Sequence, residues 1–217
     1  MKKTSKALLL VLCAVLLVTA SVMGTMAYLT STDTVENTFT VGKVKITMDE
    51  ADVNEYGEKL NSDGELWQQG EDYADRVKGN EYKLIPSHKY VKDPVIFVHA
   101  KSEPCYLFVK LDNKIEAYEA ATNTIAAQMG ANDWNYIEED AVWVYKDIVD
   151  TSDMTVDQPI NLFKTFTIAD NAQSIAGWDN ISPADTIVTV NAYAIQADGF
   201  ANAEAAWDVT FGAEANG

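Results

Sequence analysis

The chain has little of what catalytic centres are usually built from. In 217 residues it has two histidines, His88 and His99, and two cysteines, Cys13 and Cys105. No HExxH occurs, which removes the helix that offers two imidazoles and a carboxylate to zinc. No GxSxG, Walker loop or GxGxxG occurs, so a nucleophile elbow, a phosphate cradle and a dinucleotide turn are all missing. A zinc site would have only His88, His99 and a carboxylate to draw on. His88 follows Pro86-Ser87 in a turn, and His99 ends a strand in phase with Val95 and Phe97. Turn and strand-end roles account for both, and no metal or cofactor is expected.

Positive charge is also scarce. Lys and Arg number 16 against 33 Asp and Glu, a formal net charge of −17. That balance excludes nucleic acid and an anionic membrane surface as partners. The acidic pairs Asp49-Glu50 and Glu138-Glu139-Asp140 carry oxygen ligands of the kind calcium takes, but without EF-hand spacing. They read as solvated turns. The five tryptophans are scattered and read as core or loop anchors.

Only one long apolar run is present, and it stands at the N-terminus. Lys2, Lys3 and Lys6 precede an apolar stretch from Ala7 to about Ala20, and Thr25 and Ala27 place small side chains at a cleavage junction before Tyr28. This is the layout of a secretory signal peptide. The run is short of the roughly 20 apolar residues a spanning helix needs. The rival reading is an uncleaved anchor, the chain's one route to a membrane. Cleavage after residue 27 removes three lysines and no acid, taking the net charge from −17 to −20. It leaves Cys105 as the lone cysteine, beside the apolar run Tyr106–Val109, where a buried structural thiol is expected. No intramolecular disulfide is then available.

Through the rest of the chain apolar residues alternate with period two, the mark of half-buried strands. Phe39 and Val41 share one phase and Val44, Ile46 and Met48 the other, with the switch at Gly42. Segment 49–82 is polar and acidic and reads as a long insertion of little regular structure, anchored by Trp67 and Tyr73. Strands are expected after Pro94, over 102–115 with Leu107, Val109 and Leu111 facing one way, over Trp134–Ile137 and Ala141–Ile148, over Leu162–Ile168, and over Thr186–Ala197. The short link Lys101–Pro104 reads as a hairpin between two of them. Residues 116–131 are Ala-rich and read as a short helix. Phe200, Ala203 and Trp207 fall at helical spacing, so 200–208 is expected to form a short amphipathic helix capping the sheet. The fold class is all-β, an antiparallel jelly roll or β-sandwich with a short C-terminal helix, behind an N-terminal signal helix.

Three stretches carry a family resemblance. GTMAYLTSTDTVENTFTVGKVKITMDE, with Ala27-Tyr28, Asp33, Asn37, Phe39 and Gly42, resembles the processed N-terminus of the TasA/camelysin proteins of Gram-positive bacteria. LIPSHKYVKDPVIFVHAKSEPCYLFV is similar to that family's turn and paired strands, with Ser87 where glycine is usual. TVNAYAIQADGF is similar to its closing strand. The resemblance leaves 49–82 and 116–160 uncovered.

The resemblance implies a secreted jelly-roll protein of the biofilm matrix or cell surface, cut by a SipW-type signal peptidase. It implies self-association into filaments, with a related minor subunit as a further partner. Residues 28–41, carrying Val35, Phe39 and Val41 with Gly42 as hinge, would be the donor strand added to the next subunit, ahead of a domain over 42–217. A head-to-tail contact of that kind propagates as a fibre. Two alternatives stand beside it: a camelysin-like cell-surface metallopeptidase, and a non-polymerising surface binding module that uses the acidic insertion.

Overall fold

The computed structural model describes residues 43–178 and 188–211. The signal segment 1–27 with Ala27, and Tyr28, Val35, Phe39, Val41 and Gly42, lie outside the described residues.

The described residues form nine strands, all antiparallel, most of them with alternating apolar side chains. The first sheet has the order β1 (Ile46–Asp49), β3 (Val95–Val98), β7 (Gln158–Asn161). A ribbon of β2 (Lys89–Val91) and β8 (Thr165–Thr167) runs on from it, because Leu162 N donates to Pro94 O and Lys92 N to Lys164 O. The second sheet has the order β5 (Trp134–Ile137), β6 (Val142–Tyr145), β4 (Cys105–Asn113), β9 (Val188–Gln196). One core lies between the sheets. Ile96, Val98 and Ile160 enter it from the first, and Leu107, Val109 and Trp134 from the second.

The strands expected after Pro94, within 102–115, at 134–137 and within 141–148 all form, the last two joined by the solvated turn Glu138-Glu139-Asp140. The hairpin at Lys101–Pro104 does not. β3 has β1 on one side and β7 on the other, so neither edge is open to β4. The link instead carries the chain across to the second sheet, through Lys101 at φ 65°. Thr151 Oγ1 donates to His99 O at 2.7 Å and Lys45 N to Ser102 Oγ at 3.2 Å, which holds the crossing in place.

Among the described residues two short α-helices complete the fold. α1 (Ile125–Ala131) falls within the Ala-rich stretch and is capped by Thr124, whose Oγ1 accepts from Ala127 N. α2 (Ala203–Phe211) lies on the outer face of the second sheet. Its Trp207 packs 5.0 Å from Phe108 and 5.6 Å from Tyr193, ring centre to ring centre. Among the described residues no helix is long and apolar enough to cross a membrane.

Beyond Asp49, which ends β1, segment 49–82 has isolated bridges but no strand or helix of its own, as expected, yet it is closely ordered. It contains the same turn twice, Asn54-Glu-Tyr-Gly-Glu58 and Asn61-Ser-Asp-Gly-Glu65. In each, the glycine N–H donates to the asparagine carbonyl, and the asparagine Oδ1 accepts from the closing glutamate N–H at 3.0 and 2.9 Å. Gly57 has φ 72°, and a Cβ there would meet Tyr90 Cα at 2.7 Å. Only glycine suits both the left-handed backbone and the close approach. Trp67 and Tyr73 stack at 4.7 Å as a local anchor.

Candidate functional site

Two strands end their sheets on the same side of the core. β1 is the outer strand of the first sheet and β9 of the second, and they approach each other across the fold. Registers fix which backbone groups face outward. His99 N donates to Lys45 O, so the bonded pairs of β1 fall at Lys45, Thr47 and Asp49. In an antiparallel pair bonded and non-bonded positions alternate, so Ile46 and Met48 turn their N–H and C=O away from β3. By the same rule Ala197 N donating to Pro104 O leaves Val188, Val190, Ala192 and Ala194 with outward backbone groups on β9.

These residues are also the ones whose side chains face the core. Val44, Ile46, Met48, Val188, Val190, Ala192 and Ala194 all pack against the main cluster, yet each stays only half-buried. Their partners one strand in, Ile96, Val98, Leu107 and Val109, are fully covered. The core is therefore thin along the β1–β9 seam, and among the described residues no strand pairs with the outer edge of β1 or β9 beside these apolar side chains. Segment 49–82 closes one end of it: Lys78 Nζ donates to Met48 O, and Arg76 pairs with Asp49.

The opposite side of the fold is closed. Trp134 Nε1 donates to Asn161 O at 2.9 Å and Asn132 Nδ2 to Leu162 O at 2.7 Å. Side chains from β5 and from the end of α1 thereby satisfy carbonyls at the end of β7 and just beyond it.

The histidines are not brought together. His88 Nε2 bonds to Tyr56 O at 2.8 Å and its ring packs edge-on to Tyr90. His99 Nδ1 lies 3.3 Å from Asp157 Oδ2, with Nε2 buried. Among the described residues no three His, Cys, Asp or Glu side chains converge as a metal-binding group. Cys105 is buried as expected, and burial, with a smaller effect from Asp150, pushes its thiol up to about 11.

One acidic pair departs from the sequence reading. Glu50 is not solvated but 4% exposed, held by Lys92, itself 8% exposed. The partner lies 42 residues along the chain, so adjacency to Asp49 gave no sign of it. Comparison of the chain with protein-family models, with curated proteins and with solved structures finds no match.

Proposed function

We propose that this chain is a secreted structural subunit of an extracellular matrix or cell surface, built as a jelly roll and assembled by strand addition. Cleavage between Ala27 and Tyr28 frees segment 28–41, and that segment enters the β1–β9 seam of the next subunit. The observation that carries this reading is the half-buried inward face of both seam strands. An added strand would pair with their outward backbone groups and cover those side chains in one step.

The proposed donor fits that chemistry. Val35, Phe39 and Val41 have the same parity, so an extended backbone presents them on one face, with Glu36, Asn37, Thr38 and Thr40 between. Resemblance to the TasA/camelysin proteins supports the same arrangement, including SipW-type processing and self-association. A camelysin-like peptidase would need His88 and His99 at one centre, and each is held by a different partner.

The test is electron microscopy of the mature protein with and without residues 28–36. The intact protein should form filaments, and the shortened one should stay a folded monomer. Filaments of undiminished length from the shortened protein would overturn the reading.

A further inference from the structure

Glu50, Asn80 and Lys92 come from three separate segments and meet beneath the insertion. Glu50 follows β1, Asn80 lies near the end of the insertion, and Lys92 follows β2. Glu50 Oε2 accepts from Lys92 Nζ at 2.7 Å, and Glu50 Oε1 accepts from Asn80 Nδ2 at 2.9 Å. One buried carboxylate thus holds an amine at one oxygen and a carboxamide at the other. The carboxamide is gripped at both ends. Its Oδ1 accepts from Val53 N–H at 3.1 Å, and its Nδ2 also donates to Ala51 O at 2.9 Å. The Tyr82 ring lies 5.8 Å from Lys92 Nζ and its hydroxyl donates to Val91 O, covering the amine with an aromatic wall.

A buried ion pair alone accounts for Glu50 and Lys92, and it is a poor source of stability, because desolvation offsets most of the attraction. It leaves unexplained why an amide carbonyl is polarised by a backbone N–H next to that pair. We propose that Lys92 and Asn80 become joined by an intramolecular isopeptide bond, with Glu50 as the proton-transfer group.

The steps balance. Glu50 takes a proton from the Lys92 ammonium along their hydrogen bond, replacing two buried charges by a neutral amine and acid. The Nζ lone pair then attacks Asn80 Cγ. A new C–N bond forms as the carbonyl π pair moves onto Oδ1, where Val53 N–H stabilises the developing negative charge. Glu50 gives its proton to Nδ2; the pair on Oδ1 then re-forms the carbonyl as the Cγ–Nδ2 bond breaks with its pair on nitrogen. Glu50 accepts the second proton from Nζ and passes it to the departing ammonia, which leaves as ammonium. No oxidant, metal or co-substrate enters, and Glu50 returns to its starting state. The product ties the insertion to the strand that follows it.

Intact-mass spectrometry of the whole mature protein tests this, followed by protease digestion and peptide mapping. The expected mass is one ammonia below that of the sequence, with one peptide pair joined through Asn80 and Lys92. Lys92→Arg, Asn80→Ala and Glu50→Gln should each restore the full mass in protein that circular dichroism shows to be folded. A wild-type mass equal to the sequence mass overturns the proposal. So does loss of a water with Lys92 joined to Glu50. Ammonia loss that persists in Lys92→Arg overturns it too, since that marks a cyclised asparagine. The wild-type measurement decides even where a variant does not fold.

Discussion

Trp134 Nε1 donates a 2.9 Å hydrogen bond to the main-chain carbonyl of Asn161, joining the outer strand of one sheet to the outer strand of the other. The indole is itself 1% exposed, so the bond sits on a fully packed side chain. Replacing it by phenylalanine removes the donor and part of the ring. Trp134→Phe should lower stability by roughly 1 to 3 kcal/mol, the sum of a lost hydrogen bond and a small cavity. Urea denaturation reads this directly, and an unchanged midpoint would show that the latch contributes nothing.

Strand addition makes a sharper demand on the other side. The Ala192 N–H points away from β4 because Ala192 pairs with Val109 at a non-bonded position. Proline there removes a donor that β4 does not use. Ala192→Pro should therefore keep the far-ultraviolet dichroism of the monomer while stopping filament growth. Normal filaments from this variant would place the acceptor elsewhere.

Glu119 offers a pH signature. Burial raises its carboxyl above the ordinary value of 4.5, against the opposing effect of hydrogen bonds from Asn113 Nδ2 and Ile125 N. A folded-state value above the unfolded one means the native protein keeps a proton that the unfolded chain has lost. Its contribution is full below 4.5 and is lost as pH rises through the folded value. Measured against Glu119→Gln at each pH, wild-type stability should fall from acid toward neutral conditions. A constant difference between the two proteins across that range would contradict this.

Cys105 should be chemically silent. Alkylation needs the thiolate, and a buried thiol pushed up to about 11 supplies almost none near neutrality. Iodoacetamide should leave the native protein unmodified and label it fully in denaturant. Rapid labelling of the folded protein would mean that the strand carrying it opens.

Most of the strands were legible because their side chains alternate. β9 is the clearest example: Val188, Val190, Ala192 and Ala194 face the main core, while Tyr193 and Ile195 pack against the cluster of Phe108, Val142, Val144 and Trp207 on the outer face. β7 was not legible, because Pro159 interrupts it and proline is tolerated only where an edge leaves its nitrogen unpaired. Periodicity also carries no information about partners, which is why Lys101–Pro104 read as a hairpin when it is a crossing. The repeated Asn-x-x-Gly-Glu turn in the insertion was in plain view at a seven-residue spacing, yet the segment's polarity read only as loop. Glu50 and Lys92 could not be paired by any local rule, since each looks like an ordinary surface charge until the chain folds. The seam likewise depends on which strands finish last in each sheet.

The fold resembles a book sewn along the spine and left uncut at the fore-edge. Trp134 and Asn132 are the stitches; β1 and β9 are the two covers. A strand received between the covers must stabilise the subunit that receives it, since it adds only to the folded form. On the proposed reading, growth of the filament and completion of each subunit's fold are then one equilibrium. Diluted subunits should melt at a lower temperature than concentrated ones, and each new arrival would finish the folding of the one before it.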